Sequence, residues 1–214
     1  KIKKKYQVKK EEEGLISCVI GEYDEPRKQQ QGLLEVDLAH GNIAIISQNT
    51  TSSEQLISTL LWSSIIEHTP YELAHYIIDY GSETLKKYAK FPHVGEVVLQ
   101  DDSDSVNGLI DLIAGEVDDR RNLLSDYNGS FEYYNKVNEK KLPLICFTIN
   151  AFDVFNETFP RLLDIFTTLF RDAPKCGVVF VISASSPTSL RQRQLQSFNH
   201  LIVMQLKDDS MSRS

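Results

Sequence analysis

The sequence predicts a three-layer α/β/α domain with a mostly parallel central sheet, and three observations carry that reading. Short continuous apolar runs at Ile43–Ile46, Leu144–Ile149 and Val178–Ser183 have the length and lack of alternation of strands buried on both faces. Amphipathic helical patterns separate them, and strands alternating with helices place a parallel sheet between two helical layers. The length, 214 residues with 41% hydrophobic and 25% charged side chains, suits one sizeable core in a globular chain. Residues 1–14 read as a lead-in without apolar periodicity, and residues 15–214 as one domain.

Taken in order, Leu15–Ile20 and Leu33–Leu38 are strand candidates joined across the turn signal Asp24-Glu25-Pro26. After Ala39-His40-Gly41 comes the Ile43–Ile46 strand. Leu56, Ile57, Leu60, Leu61 and Ile65 then repeat at helical spacing, and the helix runs to about His68, before Pro70. Tyr76–Asp79 is a short buried strand, Gly81–Lys90 a short helix stopped by Pro92, and Val94–Leu99 another strand. The acidic run Asp101–Asp104 is placed to cap a long helix carrying Leu109, Leu112, Ile113, Val117, Leu123 and Leu124. Asn128-Gly129 breaks it, and Phe131–Val137 is a short tyrosine-rich helix. Beyond the Leu144–Ile149 strand, Phe159–Arg171 reads as an amphipathic helix and Ser189–Phe198 as a helix. Leu201–Leu206 is the last strand expected. The strands at Ile43–Ile46, Tyr76–Asp79, Leu144–Ile149 and Val178–Ser183 are expected side by side at the centre of the sheet.

Composition excludes several functions. A net charge of −7 argues against a generic nucleic-acid surface, and the basic run Lys1–Lys10 followed by Glu11–Glu13 reads as a solvated linker. Cys18, Cys146 and Cys176 lie in apolar surroundings without metal-ligand spacing, so buried free thiols are expected. His40, His68, His75, His93 and His200 are scattered, and no metal site is expected. No apolar run is long enough to span a bilayer, and the chain does not open on a signal peptide or a Met. A piece of a longer protein is expected, with any membrane anchor outside it.

The stretch from Ile43 to Leu56 passes from strand through small polar residues into helix, the frame of a phosphate-binding loop. A working loop reads G-x-x-x-x-G-K-[ST]. Here Ser47 and Ser52 stand where the glycines belong, with Gln48, Asn49, Thr50 and Thr51 between them. Ser53 stands for the lysine and Glu54 for the magnesium-binding hydroxyl. Such enzymes also need an acidic end to a buried strand. The Leu144–Ile149 strand ends instead in Asn150 and Ala151, and Asp153 reads as a helix-start residue. Ser185 and Ser186 follow the Val178–Ser183 strand, where a polar residue senses the γ-phosphate in related architectures. Helix-opening serines are an equal reading. An anion is still admissible at backbone N–H groups if the helix starts at Ser53, although Glu54 would repel it by about 1–4 kcal/mol at ~4 Å.

Several segments resemble an FtsK/SpoIIIE-type ATPase module, over nearly the whole chain from about Leu15. They are Glu35-Val36-Asp37-Leu38, Tyr76-Ile77-Ile78-Asp79-Tyr80, Phe91-Pro92-His93-Val94 and Asp118-Asp119-Arg120-Arg121. Leu142-Pro143-Leu144-Ile145 leading to Asn150-Ala151 is similar to the family's magnesium-site strand, and Cys176-Gly177-Val178 to its late-strand approach. Gly21–Pro26 with Gln29-Gln30-Gln31 resembles the tandem modules of EssC/EccC, the membrane-anchored coupling proteins of bacterial type VII secretion. The loss of both nucleotide motifs is most similar to their third, carboxy-terminal module.

The resemblance implies a RecA-like P-loop NTPase fold on the cytoplasmic side of the bacterial cell membrane. No cofactor is expected, and ATP with magnesium only if the altered site still binds. Implied partners are secreted WXG-type helical hairpins with a Y-x-x-x-[DE] signal, neighbouring modules of the same chain, and other copies in a hexamer of the full protein, with no nucleic acid. Arg120 and Arg121 are candidate docking cations. Leu56, Ile57 and Leu60, or Tyr133 and Tyr134, are candidate apolar walls, although Tyr127, Phe131, Tyr133 and Tyr134 also read as core. The alternative is a weakly active motor that pulls protein or DNA.

Overall fold

The apolar runs form the middle of one six-stranded sheet. The computed structural model describes residues 16–204, so the lead-in reading and the run Lys1–Lys10 lie outside the described residues. The strands are β1 (Ser17–Glu25), β2 (Gln30–Asp37), β3 (Asn42–Ile46), β4 (Leu73–Asp79), β5 (Val94–Leu99), β6 (Leu144–Asn150), β7 (Val178–Ala184) and β8 (Phe198–Val203). The large sheet has the order β5-β4-β6-β7-β3-β8, and every pairing in it is parallel. The four strands expected at the centre are there, and β3, β6 and β7 are buried along their whole length. β1 and β2 form a separate antiparallel hairpin.

The helices are α1 (Thr50–Glu67), α2 (Ser103–Leu124), α3 (Phe131–Val137), α4 (Phe152–Thr158), α5 (Leu163–Asp172) and the single turn α6 (Gln192–Leu195). One core layer packs Val106, Leu109, Ile113 and Val117 of α2 with Phe152, Phe155, Phe166 and Phe170 of α4 and α5. The other packs Ile57, Leu60, Leu61 and Ile65 of α1 with Cys18, Ile20 and Val36 of the hairpin. The hairpin is tied to α1 where Val19 N–H donates to Ser63 Oγ at 2.8 Å. α1 therefore buries one face, from Ser53 to Ile65, between sheet and hairpin, which explains the apolar and small residues on that face.

Four element readings change. Gly81–Lys90 is a 3₁₀ segment confined to Thr84–Lys90, and Phe159–Arg171 is a 3₁₀ turn followed by α5. The helix expected at Ser189–Phe198 shrinks to α6, and β8 begins at Phe198 rather than Leu201; residues 205–206 lie outside the described range. The buried amide of Asn42 explains the last change. Its Nδ2 donates to Phe170 O at 2.7 Å and Ser197 O at 2.9 Å, and its Oδ1 accepts from Phe180 N–H at 2.9 Å. One side chain thus pins the start of β8 to β7 and the end of α5. At α2 the acidic cap is as expected: Asp102 accepts from Ser105 N–H at 3.1 Å.

Candidate nucleotide-site rim

Because all six strands run parallel, their carboxyl ends share one rim, where ligands of open α/β sheets bind. Ser47, Asp79, Asn150 and Ser185 all come to it. After β3 only Ser47, Gln48 and Asn49 precede α1, so Thr50, Thr51, Ser52 and Ser53 are already helical. The expectation of a helix starting at Ser53 is corrected. The cause is Asn49, which caps the helix: Ser52 N–H donates to both its backbone oxygen, at 3.1 Å, and its Oδ1, at 3.4 Å. Ser53 N–H also donates to Asn49 O, at 3.3 Å, and Ser53 Oγ to Thr50 O, at 2.9 Å. Ser47 is buried; its Oγ accepts from Asn49 N–H and donates to Asn49 O. The loop's polar groups turn inward on one another.

Glu54, one residue further, is buried and faces the strand ends. Its Oε1 accepts from Ser82 N–H at 2.8 Å and from Asn150 Nδ2 at 3.2 Å, and its Oε2 from the Thr84 hydroxyl at 3.2 Å. Burial acts to raise its pKa, but the hydrogen bonds from Ser82, Asn150 and Thr84 outweigh burial and hold the carboxyl below its usual value. Asp79, fully buried, accepts from Gly81 N–H at 3.1 Å and Asn150 Nδ2 at 2.8 Å on Oδ1, and from Leu85 N–H at 3.0 Å on Oδ2. Asn150 Oδ1 accepts from Ser183 Oγ at 2.7 Å, and Ser183 Oγ accepts from Ala151 N–H at 2.9 Å. Ala151 turns the chain out of β6 in the left-handed region, φ 57°. Gly81 has to be glycine, since a Cβ there would strike Glu54 Oε1 and Asn150 Nδ2.

The structure therefore brings Glu54 and Asn150 into direct contact and adds Asp79, Ser82, Thr84 and Ser183, which motif reading missed. Two of these had a visible signal: Asp79 ends a buried strand, and Ser183 interrupts an apolar one. Ser185 lies apart from this network. Its N–H and hydroxyl both donate to Asp153 Oδ2, so Asp153 fastens the loop after β7 as well as sitting in the first turn of α4. Ser186 accepts from Thr188 N–H and opens a 3₁₀ turn, the helix-opening role.

The candidate docking residues change. Arg120 is buried: its Nε donates to Glu116 at 2.7 Å, and Nη1 donates to the carbonyls of Pro143, Cys176 and Gly177. It is a structural clamp rather than a surface cation. Arg121 is exposed but paired with Asp118. Ile57 and Leu60 are core, Leu56 is half-buried, and Tyr134 packs on Tyr127 with centroids 4.8 Å apart. Tyr133 is 44% exposed.

A different apolar surface lies on α1. Trp62 is 50% exposed and packs edge-on against Phe91, while Phe91 meets Tyr88. Lys87 Nζ lies 5.3 Å from the Tyr88 ring centroid, and the exposed Lys86 and Lys90 belong to the same 3₁₀ segment, Thr84–Lys90. The three cysteines are buried and free. His68, His75 and His93, scattered in sequence, converge: His75 N–H donates to His93 O at 2.7 Å, and His93 Nε2 to His68 O at 2.7 Å. Among the described residues no group of His, Cys, Asp and Glu has metal-binding geometry, and no helix is long and apolar enough to cross a membrane.

The sheet order and the strand–loop–helix after β3 define a P-loop NTPase-type α/β fold, RecA-like in its layering. The FtsK/SpoIIIE family matches residues 50–211, and the chain belongs to that family. It is 32% identical over 189 residues to the ESX secretion system protein YukB of Bacillus subtilis, covering 87% of this chain and 13% of that protein. The chain thus spans about one eighth of the length of that relative. Among solved structures it resembles EssC ATPases 2 and 3 from Geobacillus thermodenitrificans, with TM-score 0.83, 26% identity, and coverage of 91% of this chain and 38% of that one. It shares the fold of Thermomonospora curvata EccC ATPases 2 and 3, solved in complex with a signal sequence peptide, at TM-score 0.86 and 21% identity, covering 94% of this chain and 38% of that one. The homologues are type VII secretion proteins built from more than one ATPase domain.

Proposed function

We propose that this chain is a non-hydrolysing module of a membrane-anchored type VII secretion ATPase. It works on the cytoplasmic side of the membrane and contributes to recognition of secreted protein substrates. One observation carries the reading: Glu54 and Asp79 both accept from the Asn150 amide where a P-loop enzyme holds magnesium. The rim does not fit a magnesium–polyphosphate group. A lysine is lacking at 53, the loop N–H groups of Asn49, Ser52 and Ser53 have internal acceptors, and Asn150 turns its amide protons toward the two carboxylates. The departure from both nucleotide motifs favours a position like the third module of EssC/EccC, stacked on its neighbours.

The substrate surface we assign is the Trp62–Phe91 pair together with the exposed lysines of the adjoining 3₁₀ segment, Lys86, Lys87 and Lys90. It offers apolar area and positive charge to a helix carrying an aromatic residue and a carboxylate four residues apart. The signal peptide bound by the EccC relative supports this class of ligand. Titration of a labelled Y-x-x-x-E helical peptide is expected to saturate at or below hundreds of micromolar, as ~4–5 kcal/mol from one anchored turn allows. Binding is expected to be unaffected by ATP and weakened at least fivefold by Trp62→Ala. ATP hydrolysis is expected at background, and Ser53→Lys alone is not expected to raise it. Turnover that vanishes when the Ser47–Glu54 loop is mutated, or peptide binding that requires ATP, would return the chain to the motor reading.

A further inference from the structure

Two carboxylates, Glu54 and Asp79, are buried at the rim, and among the described residues neither has an ion-pair partner. Buried charge ordinarily needs a cation, a metal or a full set of donors. Here all four carboxylate oxygens accept hydrogen bonds, every one from a neutral group. The donors divide unequally. Ser82 and Thr84 serve Glu54 alone, and Gly81 and Leu85 serve Asp79 alone. Only Asn150 Nδ2 serves both, at 3.2 Å from Glu54 and 2.8 Å from Asp79. The orientation of the amide is dictated by its surroundings. Ser183 Oγ already accepts from Ala151 N–H, so its proton is available to Asn150 Oδ1, and a flipped amide would turn its oxygen on two carboxylates.

We infer that the Asn150 amide stands in for a bridging cation, joining α1 to β4, β6 and β7 and holding the rim closed with no ion or nucleotide bound. This rests on the non-hydrolysing reading above. It follows that a carboxylate at position 150 would leave three carboxylates facing one another, a hard-oxygen cluster that closes only around a divalent cation.

The test is thermal unfolding of the whole chain and its Asn150→Asp and Asn150→Leu variants, in chelator and in millimolar magnesium or calcium. In chelator, Asn150→Asp is expected to melt roughly 5–10 °C below the unmodified chain. Divalent ion should restore most of that loss, leave Asn150→Leu low and leave the unmodified chain unchanged. The inference is overturned if Asn150→Asp melts normally in chelator, if divalent ion does not raise it, or if the unmodified chain responds equally. Should Asn150→Asp fail to fold, Glu54→Gln combined with it must recover folding and lack the cation response; failure there also overturns the inference. Calorimetric titration of the unmodified chain with magnesium-ATP separates the two readings. Saturable nucleotide binding refutes the proposed function, whereas a missing cation rescue without nucleotide binding refutes only the role of Asn150.

Discussion

Strand β4 has a buried polar cluster at each end, and the two are solved in opposite ways. At its carboxyl end Asp79 joins Glu54 and Asn150, every oxygen of the two carboxyl groups has a donor, and the donors on Glu54 hold its pKa below the ordinary value. Near its amino end His75 is completely buried, with its Nε2 2.9 Å from Ser64 Oγ. Ser64 Oγ already donates to Leu61 O, so it accepts from His75. Among the described residues the Nδ1 atoms of His75 and His93 have no hydrogen-bond partner. Burial first, then the neighbouring His93 and His68, drive the His75 pKa down to about 3. A charge is retained where the fold supplies donors from several elements, and discharged where it supplies one.

The largest break of this contrast is expected from Gly81→Ala. The new methyl group must displace Glu54 or Asn150, separating the shared donor from its acceptors. A loss of about 2–3 kcal/mol in denaturant unfolding is expected, with an unchanged denaturant slope.

The pH profile tests the histidine end. The folded pKa of His75 lies below its ordinary 6.5, so between the two values the unfolded chain takes up a proton that the folded chain refuses. Stability from this group is therefore complete above 6.5 and is lost as pH falls toward about 3, by up to about 1.4 kcal/mol per pH unit. His75→Leu should flatten that limb, while Glu54→Gln should leave it in place. An unchanged slope between pH 6.5 and 4.5 in His75→Leu would assign the limb to other groups.

The carboxylate end has its own, lower window. Glu54 is depressed below its ordinary 4.5, so its contribution is present above that value and disappears as pH falls through the folded pKa. Glu54→Gln should cost about 1 kcal/mol at pH 7, and that cost should shrink as pH falls below the ordinary carboxyl value. The smallest effect is expected from Ser53→Ala. Its hydroxyl only back-bonds to Thr50 O in the helix, and a change within about 0.5 kcal/mol is expected.

Most of the fold was legible because burial on both faces leaves a plain mark. The β3, β6 and β7 runs are apolar at nearly every position, and a two-sided strand admits little else. The weaker readings lay where local pattern and tertiary contact disagree. Ser189–Phe198 has helical spacing, but Asn42 holds Ser197 and draws Phe198 into a strand. Arg120 looked like a surface cation because arginine usually is one. Only folding shows that three carbonyls converge on its guanidinium.

By itself the sequence determined the parallel layered sheet, its four central strands, and the loop frame after β3 with Ser47, Ser52, Ser53 and Glu54 at its motif positions. Those properties depend on residue type at fixed spacing, and spacing is written along the chain. The tertiary structure decided where Glu54 points, that Asn150 lies between two carboxylates, and that His68, His75 and His93 meet. These pairs are separated by up to 96 residues in the chain, as Glu54 and Asn150 are. Their contacts are set by the order of strands in the sheet and the packing of α1 across it, which no local pattern encodes.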